Sequence, residues 1–196
     1  SGLCSFLALR VRCELEQSAR TSGNRGVITG KVIVGWQGDP VDFGARLHWE
    51  AMRAGLGRTP EQLVVGDGAA WIWNLAEARW PGAHQLLDFY HASQHLWEIG
   101  KALIGEDEER IRRWVEPRRH RMRMGGQRQV LKQIADLKCE EHASRSVLER
   151  EQEYFAGHEH RMKYQSTHRN GWPIGSGAVQ SACRQRLCRF KRQGQF

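Results

Sequence analysis

Two aspartates, each directly after a short apolar run, are the residues best placed for chemistry. Residues 63–66 read LVVG and lead to Asp67, and residues 86–87 are two leucines that lead to Asp88. Such runs predict buried strands, and α/β proteins bind ligands at the carboxyl ends of parallel strands. A carboxylate there can hold a divalent metal ion, although Asp67 could instead cap the helix that follows it. The order strand, Asp, helix, strand, Asp is that of a unit which holds a metal ion or a phosphate.

The segments around these aspartates predict a mixed α/β fold. Between them, residues 71–76 predict a helix that the Trp-Pro-Gly stretch at 80–82 ends. Upstream, residues 7–13 and 27–36 predict two antiparallel strands separated by a turn. A helix capped by Asp42 is expected to follow them.

Residues 92–170 predict a helical insertion. Apolar residues recur there at helical spacing, the charge is high, and no strand pattern is present. Most of this charge is expected on solvated helix faces. An arginine cluster at 118–123 could also contact DNA phosphates.

The last segment predicts a return to the α/β core. A glycine-rich stretch at 173–177 precedes a helix with one apolar and one basic face. The glycines could hold a phosphate at the helix N-terminus, or they could serve only as the turn that aims the helix. The side chains expected to contact DNA phosphates are Arg184, Arg189, Lys191 and Arg192.

The composition favours a polyanionic partner. The 196 residues include 30 Lys and Arg against 22 Asp and Glu, a formal net charge of +8. This favours nucleic acid, although charge alone identifies no partner. The five scattered cysteines form no CxxC pair, which argues against a zinc ribbon and suits a reducing cytoplasm. No run is apolar enough to span a membrane, and no membrane partner is expected.

Several motifs carry a resemblance to a known family. They are GDGAAWIW at 66–73, LLDFYHA at 86–92, PIGSGAVQSAC at 173–183 and RFKRQGQF at 189–196. In this order and spacing they resemble bacterial insertion-sequence transposases of the Mutator-related DDE type, most closely the ISKra group. The matching pieces span most of the chain from Asp42 onward.

The resemblance implies an α/β fold: a ribonuclease-H-like mixed sheet that here lacks its first strand, with an α-helical insertion before the last helix. It divides the chain into a partial core at residues 1–91, the insertion at 92–170, and the last core helix with its basic face at 171–196. Such enzymes cleave DNA and transfer strands with two divalent ions, Mg²⁺ or Mn²⁺, held by three carboxylates. The resemblance also implies a cytoplasmic enzyme that works as a homo-oligomer on two DNA ends.

The resemblance assigns roles to individual residues. Asp67 matches the second catalytic carboxylate and is the expected metal ligand. Asp88 with His91 matches the family's Asp-or-Cys, two residues, His signature, for which a structural role is expected. Gln180 stands where the family has its catalytic Glu, and a neutral amide adds no negative charge to offset two cations. No first-strand Asp precedes Asp39, so we expect an inactive fragment.

Other hypotheses about the function of the chain stay open at this point. A non-catalytic DNA-binding protein would bind DNA in a salt-dependent way that ignores Mg²⁺ and survives Asp67→Ala. A metal-dependent phosphohydrolase would need both Asp67 and Asp88. A chain without its first strand could also fail to fold, because the sheet would expose an unpaired edge. Glu151 and Glu159 are not expected to replace the missing carboxylate, since both fall in the predicted insertion.

Overall fold

The computed structural model describes residues 38–176 continuously, together with Val34 and two short strands nearer the N-terminus. These strands are β1 (Cys13–Glu14) and β2 (Val27–Ile28). They pair antiparallel with Cys13 opposite Ile28, which confirms the predicted pair where it overlaps these strands, at Cys13, Val27 and Ile28; Glu14 lies one residue beyond the predicted strand.

The described part of the chain is mixed α/β and mostly helical. Its remaining strands are β3 (Leu63–Gly66) and β4 (His84–Leu87). Its α-helices are α1 (Pro40–Arg53), α2 (Ala70–Arg79), α3 (Phe89–Ile104), α4 (Glu108–Arg123), α5 (Gln127–Ala135), α6 (His142–His158) and α7 (Tyr164–Arg169). Single 3₁₀ turns lie at Leu56–Arg58 and Glu159–Arg161.

Strands β3 and β4 form a two-stranded parallel sheet. The backbone N–H of His84 donates to the Gln62 carbonyl at 2.8 Å, and that of Asp88 donates to the Gly66 carbonyl at 2.7 Å. Both chains advance in the same direction between these bonds, so the strands are parallel. With α2 between them, the predicted strand–helix–strand order is confirmed.

The chain forms two compact units. The first contains residues 38–64 and 70–84, and the second contains residues 65–69 and 85–175. In the first unit, buried Phe43 of α1 lies edge-on to Trp71 of α2, with ring centroids 6.1 Å apart. Aromatic side chains thus pack the tryptophan-rich helix against α1.

The cap of α1 differs from the prediction. The side chain of Asp39, not Asp42, accepts the hydrogen bond from the Val41 N–H, and Pro40 takes the first helical position. Proline suits that position because its missing N–H would have no partner inside the helix. Asp42 instead lies in the first turn, where a negative charge is favourable near the helix N-terminus.

In the second unit, α3 packs against both α4 and α6. The apolar residues that recur at helical spacing in this region are divided between α3 and α4, because Gly105, with φ of 87°, ends α3, and Asp107 caps α4. α4 then continues through the exposed Pro117. The buried side chains of this core include Leu96, Ile99, Ile111, Val115, Met122, Leu148 and Phe155.

The helical character predicted for residues 92–170 is confirmed, with an earlier start. α3 begins at Phe89, immediately after the strand end, because Asp88 caps it. None of the described helices is long and apolar enough to cross a bilayer.

Candidate functional site at the ends of the parallel strands

Asp67 lies directly after β3 and is exposed. Its Oδ1 accepts a hydrogen bond from the Ala69 N–H at 3.0 Å, while α2 begins only at Ala70. This contact is an Asx turn in front of the helix, and a capping side chain would instead bond to N–H groups inside the first turn. Asp67 is therefore a carboxylate that faces solvent at the end of a strand.

The loop after Asp67 is held against α6. Gly68 has φ of 104°, and a Cβ there would lie 2.8 Å from Cε2 of Tyr154 and 2.9 Å from Nε2 of His158. The Tyr154 hydroxyl donates to the Asp67 carbonyl at 2.9 Å. Only glycine fits this position without strain or displacement of its neighbours. The helical region thus fixes the position of Asp67.

Asp88 lies after β4 and is buried, with 3% of its surface exposed. Its Oδ1 accepts hydrogen bonds from the N–H groups of Tyr90 at 2.7 Å and His91 at 3.3 Å, so it caps α3. A capping carboxylate satisfies N–H groups that have no partner inside the helix and favours the positive end of its dipole. These contacts give Asp88 a structural role.

The glycine-rich stretch returns to the same strand end. The Phe89 N–H donates to the Ile174 carbonyl at 3.0 Å. A Cβ on Gly175 would lie 2.6 Å from Cδ2 of Tyr90 and 3.0 Å from Oδ1 of Asp88. A phosphate at Gly175 would meet this carboxylate, which is unfavourable. Gly177 and the predicted helix N-terminus lie outside the described residues.

His91 belongs to a polar cluster between α3 and α6. His95 Nδ1 is bonded to Glu151 Oε2, and His95 Nε2 lies 3.3 Å from His91 Nε2. Glu151 is only 1% exposed, and its Oε1 accepts from two guanidinium nitrogens of Arg150 at 2.7 and 2.9 Å. The Tyr154 ring stacks on His95 with centroids 3.6 Å apart.

Sequence reasoning missed this cluster, although two spacings indicate it. His91 and His95 are four residues apart and share one helix face. Glu151 lies between the buried Leu148 and Phe155 on the apolar stripe of α6. A carboxylate in such a stripe needs a partner across the helix interface. The prediction placed Glu151 in a helical segment, and the structure has it on α6, but the prediction did not anticipate its burial against α3.

Two titratable side chains beside the Asp67 loop have shifted pKa values. Burial raises the pKa of the Tyr154 phenol, with further contributions from the charges of Asp67, Glu151 and Asp88. Burial lowers the pKa of His158, and the charge of Arg161 adds to this, while a hydrogen bond with the Gly68 backbone opposes it. Both shifts favour the neutral form.

The arginine cluster at 118–123 is partly used inside the fold. Arg118 lies over the Trp114 ring, 4.0 Å from its centroid, and donates to the Trp114 carbonyl at 2.7 Å. Arg119 donates to Ser93 Oγ at 3.0 Å and to Glu116 at 2.6 Å. Arg121 and Arg123 are exposed and therefore more accessible to a polyanion, and a guanidinium nitrogen of Arg123 lies 3.5 Å from His168 Nε2.

The remaining predicted site residues lie outside the described part of the chain. They are Gln180, Arg184, Arg189, Lys191 and Arg192. Within residues 38–176, no three His, Cys, Asp or Glu side chains are grouped to hold a metal ion. Asp67 offers one exposed carboxylate and Asp88 is committed to its helix, so the residues described do not fit a pair of Mg²⁺ ions.

Comparison with protein-family models, curated proteins and solved structures gave no match. The geometry at the two strand ends and the motifs quoted above are therefore the basis for a function.

Proposed function

We propose that this chain is part of a DDE-type DNA transposase core with a ribonuclease-H-like sheet, and that it lacks nuclease activity as it stands. The observation that supports this best is the hydrogen bond from the Phe89 N–H to the Ile174 carbonyl at 3.0 Å. A helical segment inserted after the strand that leads to Asp88 would have its two ends together in this way. The resemblance implies an insertion at this point.

The exposure of Asp67 supports its assignment as the second carboxylate of the family site. Gln180 follows Gly175 by only five residues, so it comes soon after the chain has returned to the strand ends. In the intact family enzyme, Mg²⁺ or Mn²⁺ would bind among three carboxylates. Asp67 is one of the three, and Gln180 stands where a second is expected, so the negative charge missing at Gln180 is the physical reason for the proposed inactivity.

The proposed partner is DNA, in a cytoplasmic protein that forms a homo-oligomer when intact. The formal charge of +8 supports a polyanionic partner. The basic side chains proposed to contact phosphates are Arg184, Arg189, Lys191 and Arg192, since a helix face rich in such groups binds the DNA backbone without reading its sequence.

The experiment that tests the transposase assignment is to sequence the DNA on both sides of the reading frame. We expect an upstream strand-coding segment that ends in Asp-Gly, in frame or separated by a disabling mutation, and inverted repeats further out. Flanking DNA with neither feature, in several independent copies of the gene, would contradict a transposon origin.

Salt-dependent DNA binding is the activity that we expect this chain to retain. Replacing the four proposed basic side chains by Gln should weaken duplex binding and flatten the dependence of log K on log salt, by about 0.9 for each phosphate that is no longer neutralised. Fluorescence anisotropy across a salt series measures both. The matched control replaces four exposed basic residues elsewhere: Arg128, Lys132, Lys138 and Lys163. Equal losses in both variants would show that net charge, not this face, binds DNA.

The binding assay, the flanking DNA sequence and an assay of phosphate-ester hydrolysis together separate the rival functions. Binding that is unchanged by Mg²⁺ and by Asp67→Ala, together with flanking DNA that carries no repeats, would favour a non-catalytic DNA-binding protein. A phosphohydrolase that uses Asp67 and Asp88 is disfavoured, because Asp88 is buried and bonded to two backbone N–H groups. If the parent chain hydrolyses a phosphate ester and Asp67→Ala does not, that result would support the phosphohydrolase hypothesis.

A further inference from the structure

Two histidines on α3 direct the same ring nitrogen toward each other. Nε2 of His91 and Nε2 of His95 are 3.3 Å apart, on rings inclined at 76°. Residues four apart share one face of a helix, so the pair is fixed by the helix itself. Both side chains are half-buried and therefore accessible to a small ion.

The opposite nitrogen of each ring faces an oxygen acceptor. His95 Nδ1 is bonded to Glu151 Oε2, and His91 Nδ1 lies 3.1 Å from Oε1 of Gln94. An imidazole that donates from Nδ1 carries a lone pair on Nε2. With both rings in this tautomer, two lone pairs face each other at 3.3 Å, which is unfavourable unless a cation lies between them.

We propose that His91 and His95 bind a Zn²⁺ ion through their Nε2 atoms. A tetrahedral ion with Zn–N bonds of about 2.0–2.1 Å requires its two nitrogen ligands to lie roughly 3.3–3.4 Å apart. The observed separation of 3.3 Å meets this requirement without movement of either ring. Imidazole nitrogen suits Zn²⁺ and its transition-metal neighbours and does not suit Mg²⁺, so this site differs in kind from a carboxylate magnesium site.

Glu151 is the positioning residue of this site. Metal-binding histidines typically donate their second N–H to a carboxylate or carbonyl, which fixes the tautomer and raises the basicity of the ligand. Glu151, on α6 and 1% exposed, is the carboxylate that accepts from His95 Nδ1, and Arg150 donates to its other oxygen. The Tyr154 ring, stacked on His95, fixes the imidazole plane from one side.

The site leaves coordination positions open. Among residues 38–176, no third His, Cys, Asp or Glu side chain is grouped with these two nitrogens. Two waters or other small oxygen ligands would therefore complete the tetrahedron, one more than in zinc sites that have three protein ligands. The inference stands independently of the transposase assignment, because it rests on the two histidines, Glu151 and Gln94.

The test is metal titration of the full chain, produced without a polyhistidine tag and stripped of metal with a chelator. Zn²⁺ is titrated against a chromophoric competitor, and Co²⁺ reports coordination through its visible spectrum. The double variant His91→Gln/His95→Gln should bind one ion fewer than the parent chain and lose the tetrahedral Co²⁺ band. The control His120→Gln/His142→Gln removes two exposed imidazoles elsewhere and should bind like the parent, with the same background from the five cysteines.

Glu151→Gln supplies the second readout. It should keep the stoichiometry and weaken Zn²⁺ affinity about 10–100-fold, as expected for loss of an orienting carboxylate. Glu153→Gln, an exposed change on the same helix, should have no effect. If Glu151→Gln does not fold, as judged by circular dichroism, the histidine variants decide the question. Equal stoichiometry and affinity in the parent and the His91/His95 variant would overturn the proposal, as would a parent chain that binds no ion, since the rings would then share a proton.

Discussion

Asp67 and Asp88 follow neighbouring parallel strands, yet their carboxylates differ in exposure and in the hydrogen bonds they accept. Asp67 is exposed and bonds within its own turn, while Asp88 is buried and holds the first N–H groups of α3. The difference comes from the segment after each strand. A loop containing Gly68 separates Asp67 from α2, whereas α3 begins at the residue after Asp88. A similar strand-end pattern thus leaves one acid open to a ligand and commits the other to the fold.

The largest effect that would test this contrast is on stability. Asp88→Ala should lower the free energy of unfolding by about 2–3 kcal/mol, because it removes a helix cap and leaves buried N–H groups without their acceptor. Asp67→Ala should change it by less than about 0.5 kcal/mol, as expected of an exposed position. Urea denaturation followed by circular dichroism measures both.

Asp88→Asn serves as the control for the charge of that carboxylate. Asn caps helices about as well as Asp, so most of the lost stability should be recovered. Equal destabilisation by Asp67→Ala and Asp88→Ala would show that the two strand ends are equivalent, and the distinction between an open and a committed acid would be wrong.

The glycines beside the two acids give a smaller and graded contrast. Gly68→Ala should cost about 1–2 kcal/mol, because its φ of 104° disfavours a side chain and the new Cβ would meet Tyr154 and His158. Gly175→Ala should cost less, since Gly175 has no positive φ and its closest contact would be the ring of Tyr90, which is 49% exposed and can move, while the contact with Asp88 Oδ1 would be at 3.0 Å.

Gly82→Ala is the matched control for these two glycine changes. No atom lies within 4 Å of a Cβ built there, so the change should be neutral or slightly stabilising. Thermal melts rank the three variants. A Gly68→Ala protein as stable as Gly82→Ala would mean that α6 does not hold the Asp67 loop.

Local patterns were sufficient to predict the elements near the two acids. The apolar runs before Asp67 and Asp88 predicted β3 and β4, and helical spacing predicted the region after Asp88, because both signals depend on neighbours in sequence. The helix caps were less predictable. Asp39 and Asp42 are both acidic residues at a helix start, and the prediction took Asp42 as the cap although Pro40, which favours the first helical position, indicates Asp39.

The spacings of His91, His95 and Glu151 indicate polar residues on buried helix faces, but which of them meet could not be predicted, because this depends on the packing of α6 against α3. Nothing within the sequence near Glu151 indicates that its partner is His95, 56 residues earlier. The same holds for Tyr154, whose hydroxyl reaches the Asp67 carbonyl across 87 residues. Contacts of this kind are set by helix packing angles and not by local periodicity.

The smallest expected effect is a pH dependence of stability that arises from His158, beside the Asp67 loop. Burial lowers the pKa of His158 below its ordinary value of 6.5, so the folded chain favours the neutral ring. When pH falls below about 6.5, the unfolded chain takes up this proton first. The stability that neutral His158 contributes is therefore present above that pH and is lost as pH falls through the folded pKa.

In urea titrations from pH 8 to pH 5, the parent chain should lose more stability than His158→Gln does. Arg161→Gln removes one cause of the shift and should reduce the slope without abolishing it. Parallel pH profiles for the parent chain and His158→Gln would show that His158 is as free to ionise in the fold as in the unfolded chain, and the contact with the Gly68 loop would then have no electrostatic consequence.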